Sequence, residues 1–178
     1  MAPTPAGHPL ADSHKPRFYW VATAAAGILA TVAIVLRFLA DTHAEMVAHC
    51  LGGLPDEACG LLIGRHLSGT AGAAARVSDD AEVMRCWPTA NDAASTRIYS
   101  IPPLDMLRAD RAAEDDDLEI VGVFHSHTHT EAHPSPTDVA QAPDPAWRYV
   151  IVSLKRAEPS TRSWRIVDDT IAEECVAL

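Results

Sequence analysis

Two histidines two residues apart, with a serine and an aspartate downstream, are the residues of this sequence best suited to chemistry. His125 and His127 flank Ser126 at the end of the apolar run L-E-I-V-G-V-F, Leu118 to Phe124. In a strand, side chains two apart share a face, so both imidazoles point the same way. Further on, Ser135-Pro136-Thr137-Asp138 supplies a carboxylate that meets the rings if the loop folds back over the strand end. Two neutral imidazoles and one carboxylate, with a fourth position open, make the donor set of a catalytic zinc site. The same residues allow a plainer reading. Ser135 as N-cap, Pro136 at N1 and Asp138 at N3 would start a helix without any metal, and a histidine pair at a strand end can be polar surface. His129 and His133 lie in the intervening loop and are expected to face solvent. The run H-T-H-T-E-A-H lacks the helical H-E-x-x-H spacing, and no P-C-x-x-C follows as a zinc deaminase requires.

A hydrolytic metal site also needs a base for its water. Glu57, in P-D-E-A-C-G, precedes the apolar run A-C-G-L-L-I-G at 58–64, expected as a strand beside the central one. Most glutamates are surface carboxylates, and spacing alone does not separate Glu57 from Asp56 or Glu131.

The elements that must position these groups follow from periodicity and breakers. Thr31 to Leu39 reads as a β-branched strand. Thr42 to Cys50 has helical spacing and ends at L-G-G-L-P. Strands are expected at Ala58 to Gly64, Glu82 to Trp87 and Arg97 to Ile101, with a Gly/Ala loop at Ser68 to Ala75. A helix is expected at Leu104 to Ala113. Leu118 to His127 is the strongest strand, and its unbroken apolar run implies burial on both faces. A helix from Ser135 to Ala142, strands at Trp147 to Leu154 and Arg162 to Val167, and a short element at Thr170 to Val176 complete the chain. Strands alternating with three helices predict an α/β (α+β) fold with a mixed β-sheet flanked by helices.

Length bounds the organisation. The 178 residues suit one domain plus an extension: residues 1–31, disordered then apolar, and a domain at 32–178. With 24 acidic against 14 basic residues and a net charge of −10, the chain is ill suited to nucleic acid, whose binding depends on cationic side chains. Phe18 to Leu36 carries no charge and is long enough to span a bilayer, with Tyr19 and Trp20 where an interfacial belt would lie. It is rich in Ala, Gly and Thr, however, and its second half also reads as the first core strand, so a membrane anchor is not favoured. Cys50, Cys59, Cys86 and Cys175 are scattered without a C-x-x-C pair, which fits a reducing compartment and a cytoplasmic protein.

Taken together, these residues resemble the JAMM (MPN+) metalloprotease family. Its pattern is an upstream Glu, then H-S/T-H, seven residues, then S-x-x-D. Here Thr128 to Pro134 are the seven, and P-D-E-A-C-G-L-L-I-G is similar to the family's first motif. M-V-A-H-C at 46–50, the stretch from His125 to Val139, P-D-P-A-W-R-Y-V-I-V-S ending at Ser153, and R-I-V-D at 165–168 resemble the small bacterial Mec-type members. The resemblance covers about residues 32 to 178. T-R-I-Y at 96–99 and the pair Trp147 and Trp164 depart from it. It implies a cytidine deaminase-like core, with Zn²⁺ on His125, His127 and Asp138. Glu57 would hold and relay the proton of the attacking water, and Ser135 would stabilise the oxyanion. The implied partner is a ubiquitin-like sulfur carrier protein, whose Gly-Gly tail lies along a strand edge and from which cysteine is released. Asn91 matches a position near that groove. Another ubiquitin-like substrate, or a non-catalytic MPN scaffold, are the alternatives; the scaffold would be expected to lack some of these ligands.

Overall fold

The structure, a computed structural model, describes residues 34–67 and 79–178. Residues 18–33 of the apolar segment and the expected loop at 68–75 lie outside these. No described helix is long and apolar enough to cross a membrane.

Seven strands and three helices follow in the order β1 (Val35–Phe38), α1 (Ala40–Gly52), β2 (Cys59–Leu67), β3 (Asp80–Thr89), α2 (Pro103–Glu114), β4 (Glu119–His127), α3 (Pro136–Ala140), β5 (Arg148–Ser153), β6 (Ser160–Val167) and β7 (Thr170–Ala177). The sheet is mixed, as expected, and it closes on itself in the order β1-β3-β2-β4-β5-β6-β7. Closure runs through β1, which pairs in parallel with both β3 and β7. The β4–β5 pair is also parallel, while β2 is antiparallel to both of its neighbours.

The two longer helices each cover the sheet with one narrow stripe. In α1, Thr42, Met46 and Cys50 are buried at i, i+4 and i+8, and the last two join Leu36, Val83, Phe124 and Val150 in the largest core cluster. In α2 the stripe is Ala109 and Ala113, packed on Leu61 and Ile63, whereas Leu104 and Leu107 stay exposed. Strand β5 shows why the sheet is covered on both sides. Val150 and Val152 enter the α1 cluster, and the alternate residues Tyr149 and Ile151 pack with Trp164 and Ile166. From Val121 to His127 every residue of β4 is buried.

The expected strand at Arg97 to Ile101 does not form; the segment is irregular. Asn91 explains this. Its Oδ1 accepts from Ser100 N at 3.0 Å and its Nδ2 donates to Ile98 O at 3.0 Å, while Asp92 N donates to Ser100 O at 2.9 Å. A side chain that bonds the backbone locally replaces the ladder partner a strand would need.

Gly60 brings the site's two strands together. It lies opposite Phe124 of β4, and a Cβ there would stand 2.5 Å from both the Phe124 ring and Trp87 O. A Gly60→Ala protein is therefore expected to lose about 1–3 kcal/mol, measured by urea denaturation; an unchanged midpoint would mean that the contact relaxes freely.

Candidate metal centre and active site

The neighbouring strand β2 holds the end of β4 through Ser126. Ser126 Oγ accepts from Ala58 N at 2.9 Å, and Ser126 N donates to Ala58 O at 2.9 Å. These bonds fix the residue after Glu57 against the residue between the two histidines. Sequence reasoning gave Ser126 no role, although its place in H-S-H was the available signal.

His125 and His127 project from one face as strand periodicity requires, with Nε2 atoms 3.1 Å apart. The loop after β4 does fold back. Asp138 Oδ1 lies 3.4 Å from His125 Nε2, and Asp138 Oδ2 lies 3.4 Å from His127 Nε2. The helix-start reading holds as well: Ser135 Oγ accepts from Asp138 N at 3.2 Å, and Asp138 Oδ2 accepts from Ser135 N at 2.6 Å. This capping box starts α3 and aims the carboxylate at the rings. The two readings of Ser135-Pro136-Thr137-Asp138 are one structure.

The donor set fits a metal ion. Tetrahedral bonds of about 2.0–2.1 Å place donors roughly 3.3–3.4 Å apart; here the two Nε2 atoms are 3.1 Å apart, and each has its own Asp138 oxygen 3.4 Å away. His127 Nδ1 is 2.9 Å from Glu131 O and 2.9 Å from Thr130 Oγ1. A proton on Nδ1, donated to that carbonyl, leaves the Nε2 lone pair facing the other donors. Tyr99 stacks on His125 with ring centroids 4.3 Å apart, a support the sequence did not suggest.

Charge in the cluster points the same way. Burial lowers the pKa of His125 against the pull of Asp138, so its imidazole stays neutral and able to ligate. Burial also opposes a proton on His127, but Asp138, the Glu131 carbonyl and Glu57 outweigh it and raise that pKa. Burial alone would raise the Asp138 pKa; hydrogen bonds from both histidines and Ser135 instead hold it well below the carboxylate range. A site that raises the proton affinity of one imidazole beside an ionised carboxylate is one that attracts a cation.

Glu57, His127 and Ser135 line one cavity of about 540 Å³. Glu57 is only 5% exposed. Burial pushes its carboxyl up to about 7, opposed by His127 and reinforced by Asp138. The other two candidates for the base do not share this position. Glu131 is exposed and pairs with Lys155 at 3.1 Å and Arg156 at 3.2 Å, and Asp56 is absent from the lining of the cavity. His129 and His133 are exposed, as expected.

Asn91 does not line this cavity. Its Nδ2 donates to Glu57 O at 2.8 Å as well as to Ile98 O, and its Oδ1 accepts from Ala93 N at 3.0 Å as well as from Ser100 N. Four bonds from one side chain tie the 91–100 loop to Glu57. An Asn91→Ala protein is expected to lose about 1–3 kcal/mol in chemical denaturation.

Comparisons with known proteins find relatives over most of the chain. The chain is 41% identical over 143 residues to a CysO-cysteine peptidase of Mycobacterium tuberculosis, covering 80% of this chain and 90% of that one. It is 30% identical over 123 residues to a desampylase of Haloferax volcanii, covering 66% of this chain and 80% of the relative. A solution structure of a protein from Desulfitobacterium hafniense, 35% identical, aligns with a TM-score of 0.69 over 80% of this chain and 92% of that one. The family described as prokaryotic homologs of the JAB domain matches residues 39–167. The chain belongs to this JAB/MPN family.

Proposed function

We propose that the chain is a zinc metallopeptidase that cuts after the C-terminal Gly-Gly of a ubiquitin-like sulfur carrier protein and releases cysteine. Residues 32–178 are the working domain, and His125, His127 and Asp138 are the ligands. The observation that carries the reading is the convergence of two imidazole Nε2 atoms 3.1 Å apart with a carboxylate that sets one oxygen 3.4 Å from each, with Glu57 in the same cavity as His127. The relative named CysO-cysteine peptidase supports the substrate class. Every expected ligand is present, so the scaffold alternative has no support.

Zinc on these ligands would supply a Lewis acid that lowers the pKa of a bound water to about 7. Glu57 takes the proton of the attacking water and returns it to the leaving amine, one carboxylate serving first as base and then as acid. Ser135 Oγ accepts from Asp138 N, which leaves its O–H free to donate to the carbonyl oxygen as charge develops there. Asn91 is a positioning residue, holding Glu57 through its carbonyl. Among the described residues every strand has a neighbour on both sides, although β1 pairs with only Ala81 to Val83 of β3.

The desampylase relative favours a second reading, cleavage of an isopeptide bond to another ubiquitin-like protein. One experiment tests both. The purified full chain is assayed for metal by elemental analysis, then offered a carrier tail ending in Gly-Gly-Cys and one joined through Gly-Gly to a lysine Nε. About one zinc per chain with release of cysteine is expected. Zinc with isopeptide cleavage alone would select the second reading, and no metal after zinc supplementation would sink both.

A further inference from the structure

We propose that Arg97 binds the free α-carboxylate of the residue being released and so makes this site a reader of C-terminal single-residue adducts. This rests on the peptidase reading above and specifies which leaving group that reading admits.

Of the described arginines and lysines, nine have a carboxylate within 4.0 Å, from Arg37 with Asp80 through Arg165 with Asp79. Arg97 and Arg111 do not. Arg111 is exposed on α2. Arg97 lines the same cavity as Glu57, His127 and Ser135, and it is the one arginine or lysine among the described residues that does so. In a chain of net charge −10, an arginine left without a carboxylate partner beside the reacting groups stands out.

The position of Arg97 is set by the site itself. Ser95 O accepts from Glu57 N at 2.9 Å, so the residue two before Arg97 is bonded to the backbone of the base. Thr96 O accepts from Thr128 Oγ1 at 3.2 Å, so the residue just before it is bonded to the one that follows His127. Ile98 O, just after it, accepts from Asn91, which also holds Glu57 O. Arg97 N donates to Ser95 Oγ at 3.2 Å. The backbone on both sides of Arg97 is thus held to the two segments that carry the reaction, while its guanidinium makes no hydrogen bond among the described residues.

The chemistry of the leaving group supplies the ligand. When the bond after Gly-Gly links to a single C-terminal amino acid, its α-carboxylate is two bonds from the scissile nitrogen. It therefore enters the same cavity as the scissile bond. When the bond is to a lysine Nε, no carboxylate lies near, because four methylenes separate that nitrogen from the backbone. A guanidinium matches a carboxylate through two parallel N–H donors, and Arg97 breaks no existing ion pair to do so.

The test uses the full zinc-loaded chain and a synthetic ten-residue peptide ending in Gly-Gly-Cys, as the free acid and as the C-terminal amide. The wild type is expected to favour the acid in kcat/KM. Arg97→Gln should lower kcat/KM for the acid by about 10–100-fold, mainly through KM, and leave the amide unchanged; Arg97→Lys should recover part of the loss. Equal rates on acid and amide in the wild type, or an Arg97→Gln loss shared by both peptides, would overturn the proposal. Calorimetric binding to Glu57→Gln protein separates this from failure of the peptidase reading. If neither peptide is cut, tighter binding of the acid that disappears in Glu57→Gln/Arg97→Gln still upholds the carboxylate site, and equal binding refutes it.

Discussion

Glu57→Gln is expected to leave about one zinc per chain and to lower kcat on a Gly-Gly-Cys tail by at least about 10²–10⁴-fold, the range of a general base. Gln has the size of the protonated acid, so it fills the same buried space, but it cannot accept the proton of water. Metal content is kept because the three donor atoms that close on one another belong to His125, His127 and Asp138. Elemental analysis beside single-turnover kinetics makes the check, and turnover within a few-fold of wild type would remove Glu57 from the reaction.

The same substitution has a stability signature in chelator-treated protein. Burial raises the Glu57 carboxyl from 4.5 to about 7, so folding favours its neutral form. The associated stability is fully present below about 4.5 and is lost as pH rises through about 7. Metal-free wild type should therefore weaken over that window by an increment that metal-free Glu57→Gln, neutral at every pH, does not show. Melting temperatures at pH 5 and pH 8 for both proteins measure the difference.

Much of the site was legible in the sequence because it is local. His125 and His127 share a face by strand period alone, and Ser135 and Asp138 are placed by helix-start chemistry. The unbroken run before them marked β4 as buried on both faces. Contacts between distant segments were not legible. Spacing could not rank Glu57 above Glu131, since what removes Glu131 is a pair of cations 24 and 25 residues away, Lys155 and Arg156. Arg97 to Ile101 has strand composition, but Asn91 takes up its backbone groups, and nothing in the five residues themselves reveals that. Closure of the ring depends on β1 lying between β3 and β7, two parallel pairings that leave no local pattern. Tyr99 over His125 and Ser126 against Ala58 likewise depend on which strands become neighbours.

Asp138→Asn is expected to remove most of the bound zinc while leaving the fold nearly as stable as before. The carboxylate does two jobs, and Asn retains only one of them. An amide oxygen can still accept from Ser135 N, which Asp138 Oδ2 now does at 2.6 Å, so α3 keeps most of its start. The negative charge is lost, and with it the ionic donor 3.4 Å from each histidine. In metal-free protein His127 also loses one of the groups that raise its pKa, so its imidazole should titrate lower in an NMR pH series. Ser135→Ala supplies the opposite case: the cap is weakened by about 1 kcal/mol, while both histidines and the carboxylate remain and zinc stays bound. Zinc per chain and melting temperature, measured on both proteins, separate the two jobs. Zinc lost with little change in melting for Asp138→Asn, and zinc kept with lower melting for Ser135→Ala, assigns ligation to the carboxylate and capping to the pair. Full zinc occupancy in Asp138→Asn with lowered melting would instead make Asp138 a helix cap alone and leave the metal on two histidines, a weaker donor set than a catalytic zinc site uses.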